Sequence, residues 1–305
     1  ISADMPSATE NESWELENGK EYSQDIFYKP TVSAKFFNKK VTYEIPMSFT
    51  EKQIKESFDS ATQLNGFLSM LYNAVDKAMT VKIDSLIMRT IDNMIGETIV
   101  SDYYDTKTKT LIDLSTKSGI KAVNLLKLYN EKFGKQLTVT NCINDSEFIR
   151  YASYMMGLYK DRLSKISTLF NVGGKERFTS NENLHIVMLS EFKASANSYL
   201  QSDVFHNELV SLPSAETVPY WQGSGKDYSF ASTSKITVKT ASGTEVTASG
   251  ILGVMFDSEA LGVSNLDRRV TSSYNAKAEF YTNYYKFDSG YFNDLNENFV
   301  VFFVA

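Results

Sequence analysis

The run from Ser13 to Ile95 constrains this chain most: a charged, strand-patterned arm, a helix start at Thr50, and then apolar residues at helical spacing over a long stretch. From Trp14 to Met47 the pattern is strand-like. Asn18-Gly19 is a tight-turn signal, Val41, Tyr43, Ile45 and Met47 alternate with Thr42, Glu44 and Pro46, and Asn38-Lys39-Lys40 can turn the chain between Phe37 and Val41. A long hairpin arm is expected. Thr50 and Gln53 have capping-box spacing, with the threonine oxygen accepting a free backbone N–H and the glutamine reaching back to the cap. Ile54, Phe58 and Ala61 share a face, and Phe67, Met70, Leu71, Val75, Met79, Leu86, Ile87, Ile91, Met94 and Ile95 continue it. As one helix, Gly66 to Ile95 would be about 45 Å long. Few compact enzymes need such a rod, and an arm too large for a connector points to a chain whose surroundings are copies of itself.

Composition narrows the classes. The 305 residues suffice for one large domain or two unequal ones. The 18 Tyr, 20 Phe and 2 Trp suit interfaces as well as cores, because they carry large apolar area. The formal charge of −6 opposes tight, extensive phosphate binding, so double-stranded DNA is expected to be contacted only weakly and non-specifically. One cysteine, Cys142, excludes an intrachain disulfide and a thiolate metal cluster, and with only His185 and His206 besides, neither a metal nor another cofactor is expected. No apolar run approaches the roughly 20 residues of a spanning helix, so no membrane partner is expected. The first residue is Ile1 rather than Met, and an upstream piece is expected to be missing.

Further along, Thr98 to Asp102 reads as a strand, and Ile120 to Phe133 and Ser146 to Phe170 as amphipathic helices. Leu184 to Leu189 is a buried-strand candidate between the polar runs Thr179 to Asn183 and Ser190 to Ser198. Gly223 to Gly250 is rich in Gly, Ser and Thr, yet Lys235 to Thr240 alternates, so a β-hairpin insertion is expected there. Ile251 to Phe256, Arg269 to Ser273, Glu279 to Phe287 and Phe299 to Val304 complete an α+β pattern without internal repeats.

Catalytic readings fail one by one. Gly173-Gly174-Lys175 and Gly225-Lys226 lack the earlier glycine and the Ser or Thr of a phosphate loop. His185 and His206 lack metalloprotease spacing, and His185 enters an apolar strand as an edge or core residue. Cys142 with a distant histidine is a coincidence that many chains show. Asp257 and Glu259 would lie about 7 Å apart on one side of a strand end, and solvated turn charges are expected in preference to an acid and base pair. No enzyme activity is expected. Lys29, Lys35, Lys39 and Lys40, with Glu12, Glu15, Glu17 and Glu21, make the arm a mixed-sign surface, which serves either solubility on edge strands or salt-sensitive pairing with a neighbouring subunit.

Three stretches then carry a resemblance: KFFNKKVTYEIPMSFTEKQIKESF with the following GFLSMLYNAVDKAMTVKIDSLIMRTIDN, NENLHIVMLSEFKASANSYLQ, and the C-terminal order ILGVMFDSEALGV, RRVTSSYN, EFYTNYYKFDSGYFNDLNENFVVFFV. Their order resembles a tailed-phage major capsid protein of the Hong Kong 97 fold, in particular the short-tailed phi-29-like group. The resemblance implies an N-terminal arm at 1–10, an extended loop at 11–49, a peripheral domain with a spine helix at 50–180 and 267–305, and an axial domain at 181–266 with the insertion at 223–250. It implies a virion protein, assembled in the host cytoplasm as pentamers and hexamers into an icosahedral head around double-stranded DNA, with portal, scaffolding and cement proteins as further partners. Inter-subunit contact candidates are Trp14, Lys29, Lys35, Phe36, Lys39, Lys40 and Tyr43. Some relatives join a loop lysine to an asparagine of the next subunit; Lys35, Lys39 or Lys40 and Asn293, Asn296 or Asn298 are available, but residues this common single out no pair. Two other readings stay open: the shell subunit of a bacterial protein nanocompartment, and a secreted carbohydrate-active enzyme or binder suggested by the aromatic content and acidic pairs.

Overall fold

A computed structural model describes residues 18–19, 36–57, 60–202, 215–223 and 225–305. The chain runs through β1 (Lys40–Thr50), α1 (Glu51–Ser57), α2 (Ala61–Tyr103), β2 (Tyr104–Asp105), β3 (Thr110–Leu111), β4 (Ala122–Asn124), α3 (Leu125–Phe133), α4 (Ser146–Leu163), β5 (Leu184–Leu189), α5 (Ser190–Ser202) and β6 (Glu216–Val218). It continues through α6 (Phe230–Thr233), β7 (Ile236–Lys239), β8 (Glu245–Ala248), β9 (Ile251–Asp257), β10 (Leu261–Asn275), β11 (Phe280–Asn293) and β12 (Phe299–Phe303).

The alternation in β1 is real, but its partner is distant. β1 pairs antiparallel with β11 over its whole length, Lys40 opposite Gly290 and Thr50 opposite Phe280, and β10 closes a three-stranded sheet in the order β1-β11-β10. The hairpin arm expected from Trp14 to Met47 is therefore corrected at its end: β1 is a built-in strand of the body. Asn18 and Gly19 do form a turn, and the other residues before Phe36 lie outside those described. No turn forms at Asn38 to Lys40; Phe36 to Lys39 are irregular and the Lys39 carbonyl accepts from Tyr291 N at 3.2 Å.

Helix α2 has 43 residues, about 65 Å at 1.5 Å per residue. Its cap is Ser60, whose Oγ accepts from Gln63 N at 3.3 Å; the short α1 takes the start expected at Thr50. The strand expected at Thr98 to Asp102 is helix. Ile91, Ile95, Ile99 and Tyr103 repeat every four residues on one buried face, and the Thr98 hydroxyl turns back to the Met94 carbonyl at 2.8 Å, so β-branched residues ride on a helix that packing has already fixed.

The helix serves two bodies. Val75 and Met79 pack with Tyr285 and Phe287 on the three-stranded sheet, whereas Ile91 to Tyr103 enter the main core. That core surrounds a five-stranded sheet ordered β4-β12-β9-β5-β6, in which β9 and β12 are buried at every residue and so read as unbroken apolar runs. Strands β4 and β6 lie parallel to their neighbours and the central three are antiparallel. This sheet draws strands from both sides of residues 180 and 181, and β10 runs straight through residues 266 and 267.

Local capping explains the other departures. The helix expected from Ile120 starts only at Leu125, because β4 joins β12 and Asn124 then caps α3, its Oδ1 accepting from Lys127 N at 3.1 Å while its Nδ2 donates to the carbonyls of Leu114 and Ala305. Helix α4 stops at Leu163 rather than Phe170; the Leu163 carbonyl accepts from Thr179 N at 2.7 Å, and Ser167 and Arg177 bridge. The polar run Ser190 to Ser198 is helical, within α5. The hairpin expected in 223–250 forms as β7 and β8 and clamps the long helix: Glu97 Oε1 accepts from Ala241 N at 2.6 Å, and a Cβ on Gly96 would stand 2.4 Å from Val238 Cγ2.

Candidate subunit-contact surfaces

The three-stranded sheet presents one apolar face and one polar face, as strand periodicity requires. On the face beneath α2, Tyr43 stacks on Phe287 with ring centroids 5.0 Å apart, Tyr72 meets Tyr285 edge-on at 6.0 Å, and Ile45, Met47 and Ile83 pack around them. The Arg89 guanidinium over Tyr291 and the bond from Asn293 Nδ2 to the Thr90 carbonyl at 2.9 Å carry the contact along the helix. On the opposite face Thr42 Oγ1 donates to Asp288 Oδ1 at 2.6 Å, Arg269 bridges Asp288 at 2.9 Å and Asp267 at 3.0 Å, and Lys286 meets Glu44 at 3.1 Å. Arg269, and after it the Thr42 hydroxyl, holds the Asp288 carboxyl below the usual carboxylate range. Arg268 pairs with Asp76 and ties β10 to the helix.

This module leaves large apolar side chains open: Phe36 is 76% exposed, and Met70, Val81, Leu266 and Val270 are each more than half exposed. Grooves lined by Phe49, Leu68, Tyr281 and Tyr285, and by Met79, Ile83, Leu266 and Phe287, flank the helix. Exposed apolar side chains beside ion pairs are the composition of which association surfaces are made. A second aromatic surface lies on α3 and α4, where the Lys132 ammonium sits 5.4–5.5 Å from the rings of Phe133, Tyr151 and Tyr154.

The contact candidates read from sequence divide. Trp14, Lys29 and Lys35 lie outside the described residues. Phe36, Lys39 and Lys40 are together at the entry to β1, Phe36 and the lysines exposed. Tyr43 is half-buried and serves its own subunit through Phe287. Of the asparagines, Asn298 is buried and donates to Thr179 Oγ1 at 3.1 Å, and Asn293 is committed to α2. The outer edge of β10 escaped the sequence reading; its signal was the spacing of Leu266, Val270 and Tyr274 in an otherwise polar segment.

The residues weighed for chemistry have structural work. Burial pushes the Cys142 thiol up to about 12, and its Sγ donates to the Val139 carbonyl. Asp257, expected as a solvated turn charge, is buried, and its Oδ1 accepts from Glu259 N at 3.0 Å to close the turn after β9. His185 is exposed and stacks on Phe256 at 5.7 Å; His206 lies outside the described residues. Gly173 abuts Asn296, whose Oδ1 would stand 2.1 Å from an added Cβ. Among the described residues no group of three His, Cys, Asp or Glu side chains has metal-holding geometry, and no helix is long and apolar enough to cross a membrane.

The family described as Phi29-like phage major capsid protein matches residues 2–303. No curated protein matches the chain. Among solved structures, a chain of native bacteriophage P68, from the structure of its head fiber and inner core protein gp22, superposes with a TM-score of 0.52 at 11% identity, over 100% of this chain and 80% of that one. The capsid of Staphylococcus phage Andhra gives 0.43 at 9% identity over 87% and 70%, and the mature capsid of bacteriophage PhiM1 gives 0.45 at 9% over 100% and 80%. The likeness to the P68 chain shows a shared fold.

Proposed function

Since the chain belongs to the Phi29-like phage major capsid proteins, and is thus a subunit of a capsid shell with a Hong Kong 97-like fold, we propose that its copies join as pentamers and hexamers into an icosahedral head. Family membership displaces the nanocompartment and carbohydrate-active readings. In the proposed head, double-stranded DNA touches the shell weakly and non-specifically, because a chain of net charge −6 offers little counterion release. Portal, scaffolding and cement proteins would be further partners, and assembly would take place in the host cytoplasm.

We infer a division by body that departs from the bounds 50–180, 181–266 and 267–305 implied by the resemblance, because the five-stranded sheet takes β4 and β12 from outside 181–266. The three-stranded sheet with the outer half of α2 would form the peripheral domain. The five-stranded sheet with α3, α4 and α5 would form the axial domain, with the β7 and β8 hairpin locked to α2 between them. Residues before Phe36 would lie across a neighbouring subunit. The observation that supports this is the open apolar surface of the module into which they lead, with Phe36 itself 76% exposed. Each such contact is modest, and the closed lattice sums them.

Because β1 is part of the body, the informative truncation begins at Phe36. The shortened chain is expected to keep a cooperative melt but to form no closed shells by electron microscopy. Shells of normal size from that chain would remove the arm from the account.

A further inference from the structure

Among the described residues, strand β10 is an edge without a cover. It is exposed at every residue from Ser264 to Asn275, and among the described residues no strand pairs with its outer side. Open edges are ordinarily blunted by charges, prolines or bulges. Here those devices stop short: the bulge lies between Asn265 and Asp267, and the charges end at Arg269, with Arg268 paired to Asp76 and Arg269 to Asp267 and Asp288. From Val270 to Asn275 the strand carries no charge, no proline and no bulge.

We propose that this edge pairs antiparallel with the same edge of a second copy, across a two-fold axis at Ser272. A two-fold contact sets a patch against itself, so the patch must be its own complement. Centred on Ser272, Val270 of each copy faces Tyr274 of the other, and Thr271 faces Ser273. An aromatic residue against a β-branched one and a hydroxyl against a hydroxyl are favourable cross-strand pairs. Val270 and Tyr274, 53% and 47% exposed in the single chain, cover each other twice. No like charges meet, since Arg269 comes opposite Asn275. An axis perpendicular to the sheet keeps its faces in register, so both α2 helices stay on one side and both ion-pair faces on the other. The result is one six-stranded sheet, with a local two-fold of the shell as the place for it. The proposal rests on the shell reading given above.

The test uses the full chain assembled into particles and scored by electron microscopy before any cross-linking. Directly opposed strand residues have Cα atoms about 4.5–5.5 Å apart, within disulfide reach. Ser272→Cys particles treated with copper phenanthroline, the oxidant that takes up the electrons of the two thiols, are expected to run as covalent dimers on a non-reducing gel. The double variant Val270→Cys/Tyr274→Cys is expected to give the same dimers and guards against a folding defect at Ser272. Lys277→Cys, at the tip beyond β10, is expected to stay monomeric, and the natural Cys142 is buried and silent. Closed particles with no dimer from either β10 variant overturn the pairing while leaving the shell reading intact, as do equal dimer yields from Lys277→Cys.

Discussion

Asp92→Asn is expected to flatten the pH dependence of the unassembled subunit's stability, so that the variant gains on the parent chain by roughly 4 kcal/mol as the pH rises from 4 to 7. Asp92 sits on α2 next to Ile91, where the helix enters the main core, 3% exposed, and its Oδ1 has no hydrogen-bond partner among the described residues. Desolvation pushes its carboxyl from 3.8 up to about 8. The folded pKa is raised, so between pH 3.8 and about 8 the unfolded chain ionises while the folded chain keeps its proton. Stability from this group is therefore intact below pH 3.8, falls through that window by about 1.4 kcal/mol per unit, and is level above it. Urea unfolding of both proteins at pH 5 and pH 8 measures the difference. Parallel pH dependences for the two would refute the account of this carboxyl.

Phe287→Ala is expected to cost about 3–5 kcal/mol, the range for truncating a buried aromatic, with the loss confined to the three-stranded module. Phe287 is 4% exposed, stacks on Tyr43 and packs with Val75, Met79 and Tyr285 in a cluster separate from the main core. Amide exchange should accelerate in β1, β11 and the outer half of α2, while β9 and β12 keep their protection. The variant should also fail to close shells, because its contact surface no longer has a fixed shape. Uniform loss of protection across both sheets would show that the bodies are one cooperative unit.

The two modules were unequally legible in the sequence. Thirty residues of helical periodicity from Gly66 to Ile95 make most of α2 visible without any structure, and the alternation of Val41, Tyr43, Ile45 and Met47 makes β1 visible too. What local pattern cannot carry is the partner of β1, since β11 lies more than 200 residues downstream and both strands are amphipathic in the same way. The chain therefore read as a hairpin arm where it is one strand of a distant pairing. At Thr98 to Asp102 intrinsic β preference pointed one way and burial beneath the five-stranded sheet decided the other. At Asn124 one side chain that caps a helix and holds the C-terminal residue divides a segment that periodicity reads as continuous. The contact surface was half visible: Phe36 and the lysines beside it stood out by type, but the open side of β10 depends on which strand is outermost, and that is a fact of topology.

A capsid shell subunit of this family should close a shell from copies of itself. Cryo-electron microscopy of the purified chain, alone and co-expressed with its scaffolding protein, across a range of concentration and salt, decides whether it does. Closed isometric particles with the α2 modules of neighbouring copies in contact are the expected result; a chain that stays monomeric in sedimentation both alone and with its scaffolding protein, with no particles on the grids, would rule out the shell.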